Sequence, residues 1–268
     1  MGNNGSTVDI RAGRFAANMR FVAHQLHRVT APGCNVAIHI QQLLAYKNQH
    51  GFIGRRDFRG AMIDVFGAGG FNFKGEMAIV KNPQAMAQRL NLHSLMFITG
   101  KRNSNDLAPA PNDYVLIFQK PGECVCPPQA LRDAKINPDG WVTTDEWIRD
   151  AHGCWTDIDE FDILDGAHGA RESDEEKHVC PLQLEVIRRL VKLYSNPIDK
   201  QPDVTVLDPF MGIGSTATVC VELDRNCIGF ELKESYYANA LRNIERARAK
   251  KAAETKQEAM LFEAENVA

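Results

Sequence analysis

Apolar positions along this chain follow two rhythms: spacings of three and four residues, and short unbroken runs. Phe15, Met19, Val22, Leu26 and Val29 keep the first rhythm and predict an amphipathic helix from Arg14 to Val29. Ala31-Pro32-Gly33 ends it as a turn. Val36 to Ile40 is a short apolar run and predicts a buried strand. A second helix is predicted from Phe58 to Phe66, closed by Gly67-Ala68-Gly69-Gly70, and a strand from Phe71 to Val80. The stretch from Lys81 to Pro111 joins a short helical pattern at Met86 and Leu90 to a polar, Asn- and Pro-rich loop. Tyr114 to Phe118 predicts another strand.

Beyond Pro121 the rhythm fades until Lys177. Trp141, Trp147 and Trp155 lie there among many acids and few aliphatics, the composition of an inserted subdomain. Regularity returns at Cys180. Pro181 suits the first turn of a helix whose apolar face is Leu184, Ile187, Val191 and Tyr194. A strand at Val204–Leu207, a helix at Ser215–Leu223 and a strand at Cys227–Phe230 follow. Tyr237, Leu241 and Ile244 mark a last amphipathic helix, and the alanine-rich charged tail from Arg246 extends it. Alternation of this kind predicts an α/β fold, a sheet with helices on both faces and five readable strands.

Composition narrows the class only modestly. Hydrophobic residues at 44% and charged residues at 24% are an ordinary globular balance. The formal net charge of −3 does not favour a strongly basic nucleic-acid binder, but steering depends on local patches rather than totals. No apolar run approaches the roughly 18 residues that span a bilayer, and Met1 to Ser6 is polar, so a cytoplasmic protein is expected. Seven cysteines at irregular spacing read as reduced thiols. Cys124-x-Cys126 and His152-x-Cys154 lack the usual zinc spacing, and no metal is expected.

The densest chemistry is the run Val206-Leu207-Asp208-Pro209-Phe210-Met211-Gly212-Ile213-Gly214-Ser215-Thr216. A strand enters a glycine-rich turn that opens a helix. Gly212 and Gly214 permit backbone angles and close approaches that a side chain would block. The helix start presents free N–H groups and a positive dipole end to an anionic group. Glu231 ends the following strand, where an acid about 20 residues after the glycines accepts hydrogen bonds from ribose hydroxyls. Gly212-x-Gly214-x-x-Ala217 also satisfies the looser dinucleotide pattern. The intervening Asp-Pro-Phe-Met argues against that alternative, because a pyrophosphate site wants its glycines at the strand end. A ligand-free strand–helix turn is the blander alternative. Basic residues gather at Arg55, Arg56 and Arg59, and at Arg89, Lys101 and Arg102, as candidates for phosphate contact or simply a solvated face. His39, on an apolar strand, reads as a core or loop-edge histidine.

The run Asp208 to Thr216 resembles the cofactor loop of the N4-cytosine/N6-adenine DNA methyltransferases in their permuted, β-type motif order. His178-Val179-Cys180-Pro181-Leu182-Gln183-Leu184 is similar to that family's segment against the methionine end of the cofactor. Ile228-Gly229-Phe230-Glu231-Leu232 with Tyr236-Tyr237 is similar to its second-strand motif. Leu26 to Gly33 resembles its L-x-R-V-L-K-P-G-G turn, and Asp113 to Pro121 its last-strand segment; the whole is nearest to phage and prophage members. The resemblance implies a Rossmann-like sheet that binds S-adenosyl-L-methionine through His178, Cys180, Pro181, Asp208, Pro209, Phe210, Gly212, Gly214, Ser215, Thr216 and Glu231. It implies methyl transfer to the exocyclic amine of adenine or cytosine in double-stranded DNA, as in restriction–modification, with Arg55, Arg56, Arg59, Lys101 and Arg102 on the DNA.

Three departures qualify the resemblance. Val179 stands where proline is usual, and Leu182-Gln183 where Lys-Pro is common. The family's catalytic (D/S)-P-P-(Y/F) tetrapeptide precedes the L-x-R-V turn by several tens of residues. Here only about 25 residues lie there, without that motif, so no catalytic residue is assigned. Pro127-Pro128 falls in the wrong place. The family sheet has seven strands, so Val36–Ile40 and Val204–Leu207 should face an empty slot with buried, unpaired backbone groups. A fragment, a start assigned at an internal Met or one half of a split enzyme is expected, its partner being the missing segment or chain. The expected organisation is a target-base half over 1–120, an inserted recognition region over 121–177, a cofactor half over 178–250 and a charged tail over 251–268. A non-catalytic regulator binding S-adenosylmethionine or DNA, and more distantly a nicotinamide-dependent oxidoreductase, are the alternatives.

Overall fold

The computed structural model of the chain describes residues 13–90, 96–123, 142–164, 181–196 and 204–265. The chain divides into two compact units, Met1–Cys126 with His152–Asp157, and Pro127–Ala151 with Ile158–Ala268.

The first unit opens with α1 (Arg14–Val29) and β1 (Asn35–Gln41). A small hairpin follows, β2 (Leu43–Ala45) and β3 (Gly54–Arg56), with the one-turn α2 (Lys47–His50) at its tip. Then come α3 (Phe58–Ala68), β4 (Asn72–Ile79), α4 (Pro83–Arg89), α5 (Phe97–Arg102), β5 (Asp113–Gln119) and the two-residue β6 (Cys154–Trp155). The large sheet has the order β1-β5-β4-β6, antiparallel except for the β4–β6 pair. Ile40 of β1 and Leu116 and Phe118 of β5 meet Ala23 of α1 and Met62, Val65 and Phe66 of α3 in one apolar core. Trp155 is buried beside Ile79, which makes a two-residue strand worth having.

The second unit contains α6 (Thr144–Asp150), α7 (Leu184–Tyr194), β7 (Thr205–Asp208), α8 (Ser215–Glu222), β8 (Asn226–Gly229) and α9 (Glu234–Glu265). β7 and β8 are parallel. Leu184, Ile187 and Val191 of α7 bury against Val219 and Cys220 of α8, as their spacing predicted.

Several expectations need correction. Eight strands in three sheets occupy the described residues, against five read from sequence. Pro181 lies before α7, whose N-cap is Gln183, rather than in its first turn. On α9 the buried positions are Ala240, Asn243 and Ala247, while Tyr237 and Leu241 are exposed. Ala240 faces inward because Gly214 in the loop before α8 comes too close for a larger side chain there. β1 and β7 each bond one neighbour among the described strands. Ala37 and His39 on β1 and Thr205 on β7 are exposed, so these strands are not fully buried. No described helix is long and apolar enough to cross a membrane.

Candidate functional site

The loop from β7 to α8 is held shut by its own polar groups. Asp208 accepts a hydrogen bond from the Phe210 backbone N–H at 2.9 Å and another from the Thr216 hydroxyl at 2.5 Å. One carboxylate therefore ties the strand end to the first turn of the helix. The Met211 N–H donates to the Phe230 carbonyl at 2.9 Å and the Phe230 N–H to the Asp208 carbonyl at 3.0 Å, so the parallel pairing continues past both strands. Gly212 and Gly214 have φ of +56° and +94°, the left-handed region where glycine is favoured.

Gly214 answers two demands. Besides its backbone angle, a β-carbon there would lie 3.0 Å from Ala240 Cα and 3.1 Å from Ala240 Cβ. Sequence reasoning gave Gly214 to a ligand; its immediate neighbour is α9. Buried Asn243 adds a hydrogen bond from Nδ2 to the Ile213 carbonyl at 2.9 Å, so α9 braces the loop from behind.

Glu231 closes the site. Its Oε2 accepts the Gly212 N–H at 2.9 Å and its Oε1 accepts the Lys233 N–H at 2.8 Å. Each oxygen keeps a second lone pair, so a half-buried carboxylate, fixed by two backbone donors, can still accept from hydroxyls. No side chain of the N-cap, Gly214, caps the first turn of α8, whose N–H groups form the positive end of the helix dipole. Phe210, Phe230 and Leu232 are exposed around the acid; Phe210 was among the expected cofactor contacts, whereas Phe230 and Leu232 carried no assignment. An apolar residue on each side of a strand-end acid was the available signal. The arrangement suits a ligand that joins vicinal hydroxyls to a flat apolar ring and an anionic group.

Asp208, Pro209, Phe210, Gly212, Gly214, Ser215, Thr216 and Glu231 thus gather in one place. Pro181 lies in the stretch leading to α7, and His178 and Cys180 fall outside the described residues. In the first unit, Arg55 and Arg56 lie on β3, Arg59 on α3, and Lys101 and Arg102 in the last turn of α5. Arg59 is ion-paired with Glu76, whose hydrogen bond raises the guanidinium pKa. The Lys101 ammonium sits 4.8 Å from the Phe97 ring centroid. His39 is neither a pure core residue nor free: its Nε2 is 3.1 Å from Asp113 Oδ2. Among the described residues no cluster of three His, Cys, Asp or Glu could hold a metal; Cys124, Cys126 and Pro127-Pro128 lie outside them.

Comparison with known proteins places this geometry. The profile of the DNA methylase family of N6/N4 type matches residues 11–242. Type II methyltransferase M.MthZI of Methanothermobacter thermautotrophicus is 26% identical over 229 residues, 80% of this chain and 55% of that protein. M.BglI of Bacillus subtilis is 30% identical over 133 residues, 50% of this chain and 30% of its own. M.SmaI of Serratia marcescens reaches 52% over 48 residues, 18% and 16% of the two chains. The chain thus spans between about a sixth and about half of these relatives' lengths. A Thermus thermophilus protein assigned as a DNA modification methylase, complexed with S-adenosyl-L-methionine, superposes with TM-score 0.63 at 19% identity, covering 87% of this chain and 77% of that one. The cytosine-N4-specific PvuII DNA methyltransferase gives 0.55 at 14%, covering 85% and 70%. At those identities the likeness establishes the fold, a Rossmann-like α/β methyltransferase fold. With a family profile matched over most of its length and a glycine loop closed onto a strand-end acid, the chain belongs to the N6/N4 DNA methylase family.

Proposed function

We propose that the Asp208–Glu231 site binds S-adenosyl-L-methionine and serves transfer of its methyl group to the exocyclic amine of adenine or cytosine in DNA. The observation that carries this reading is the Glu231 carboxylate, clamped by Gly212 and Lys233 yet retaining acceptor capacity between exposed apolar side chains. Glu231 holds the ribose hydroxyls, Phe230 and Leu232 flank the adenine ring, and the uncapped start of α8 meets the amino-acid carboxylate. When bound, the cofactor supplies an electrophilic methyl on a sulfonium. The target amine nitrogen would take up that methyl and give up one proton, while Glu231, Phe230, Leu232 and the start of α8 would hold the donor in place. A base inside a duplex cannot reach such a site without leaving the stack. Arg55, Arg56, Arg59, Lys101 and Arg102 are the proposed phosphate contacts, which set register without reading sequence.

Calorimetry tests the cofactor. S-adenosylmethionine should bind and NADH should not; the reverse order would replace this reading with an oxidoreductase. Glu231→Ala should weaken binding by about 1–3 kcal/mol, the loss of charge-assisted hydrogen bonds. Transfer of a radiolabelled methyl group to unmethylated genomic DNA, in extracts supplying the rest of any longer protein, tests the reaction. Changing Arg55 and Arg56 to alanine should flatten the salt dependence of DNA binding by about one unit per contact.

A further inference from the structure

The hairpin β2–β3 is anchored at its stem and uncovered at its tip. At the stem, Gln42 Oε1 accepts the Phe58 and Arg59 N–H groups at 2.7 and 3.1 Å, locking the hairpin to the start of α3. Leu44 packs against Met86 and Ala87 of α4, and Ala45 is buried. At the tip, α2 ends on Gly51 with φ +80°, and the chain then presents Phe52, 50% exposed, and Ile53, 66% exposed, beside exposed Tyr46. Large apolar side chains held in water on a rigid stem mark a contact surface rather than a folding need.

Charge identifies what they contact. Between Asp9 and Asp57 the sequence has no Asp or Glu but seven Lys or Arg, in a chain whose net charge is −3. Lys47, Arg55 and Arg56 of the hairpin belong to that stretch. Arg56 Nη1 is 2.9 Å from His50 Nε2, which fixes the imidazole beside the tip. A buried Nη2 of Arg55 has no hydrogen-bond partner, a cost that a phosphate oxygen would relieve. Two-stranded ribbons enter the minor groove as well as the major, and from the minor groove apolar side chains such as Phe and Ile wedge between base steps.

We propose that the hairpin tip enters duplex DNA, with Phe52 and Ile53 wedged into the base stack and Lys47, Arg55 and Arg56 on the flanking phosphates. The inference rests on the reading that this chain acts on DNA and adds to it the element that opens the stack. The wedge occupies the gap left when a base swings out, which lowers the cost of unstacking.

The test is binding of the full chain to a fluorescein-labelled duplex and to the same duplex carrying one mismatch, with S-adenosylmethionine binding measured alongside. The wild type should prefer the mismatched duplex, whose unstacking is already part-way done. Phe52→Ser with Ile53→Ser should lower duplex affinity about tenfold or more, abolish the mismatch preference and leave cofactor binding intact. Both residues are exposed, so a thermal melt should show little change. Arg55→Gln should instead weaken both duplexes equally. Wild-type affinity and mismatch preference in the serine variant would overturn the wedge while leaving the methylase reading standing. A changed oligomeric state with unchanged DNA affinity would overturn it in favour of a contact between copies. Cofactor binding with no DNA binding by the wild type would defeat both readings.

Discussion

Met211 lies directly over Gly229. A β-carbon on Gly229 would run into the Met211 methyl group and would sit 3.0 Å from Met211 Cγ and 3.1 Å from its Cβ. The buried thioether of the loop therefore occupies the space that any other residue at the end of β8 would fill. Gly229→Ala should destabilise the chain by about 1–3 kcal/mol, the usual cost of overpacking. Met211→Ala in the same chain should recover part of that loss. Additive losses in urea unfolding would show that the two residues do not compete for one space.

Gly214 makes a similar prediction with a different remedy. Its β-carbon would meet Ala240 backbone as well as side chain, and its φ of +94° is unfavourable for other residues. Gly214→Ala should cost more than the roughly 1 kcal/mol of a strained backbone alone, and Ala240→Gly should relieve only part of it. Full rescue by Ala240→Gly would mean that backbone strain and the Ala240 backbone contribute nothing. Loss of cofactor binding in a Gly214 variant is informative only when the same variant keeps its wild-type melting temperature.

These two glycines show why the site was readable and its support was not. Asp208-Pro209-Phe210-Met211-Gly212-Ile213-Gly214 announces a strand-to-helix turn locally, and Thr205–Asp208 and Ser215–Glu222 fall where their patterns put them. The partners Ala240, Asn243 and Gly229 are distant in sequence and small or polar, so no apolar rhythm marks them. Tyr237 and Leu241 drew the helix face toward the larger side chains for the same reason. β2, β3 and β6 have only two or three residues each, too few for alternation to be seen, and a helical turn rather than a Gly-containing two-residue turn joins β2 to β3. Glu231 was legible as an acid at a strand end, but its hold on Gly212 is tertiary.

α6 and α7 are joined by a buried charge pair. Asp150, with a fully buried side chain, lies 3.2 Å from Arg189 Nε, itself 3% exposed, and Arg189 reaches Glu185 at 3.1 Å. Arg149, more exposed, donates to both oxygens of Asp150, sharing Oδ1 with Arg189. Arg189→Met removes the buried partner but leaves Asp150 paired with Arg149, so it should cost about 1–3 kcal/mol, the loss of charge-assisted hydrogen bonds. Asp150→Leu combined with Arg189→Met should cost clearly less than the sum of the single changes, because well-packed apolar residues replace buried ions at little penalty. Additivity in that double-mutant cycle would show the pair to be uncoupled.

Asp113 gives the first unit a dependence on acid. Its carboxylate begins β5, 3.0 Å from the buried Lys81 ammonium, 3.1 Å from His39 Nε2 and 2.7 Å from Gln41 Nε2. Burial, the largest single influence, pushes the carboxyl pKa up; the hydrogen bond and charge of His39 and the charge of Lys81 outweigh it together, and the net shift is downward from 3.8. A carboxylate with a depressed folded pKa stabilises the fold above its unfolded pKa, and that stability is lost as pH falls from about 4 through the folded value. Urea midpoints of the wild type should therefore decline on acidification below about pH 4. Asp113→Asn should lose this part of the decline, and at neutral pH it should be less stable by about 3–5 kcal/mol, because Lys81 remains buried without its counter-charge. Lys81→Met removes an influence that lowers the pKa while burial persists, so it should move the acid transition to higher pH. An acid limb unchanged in Asp113→Asn would assign the pH dependence to other carboxylates, and an unmoved transition in Lys81→Met would leave His39 as the group that holds the Asp113 charge in place.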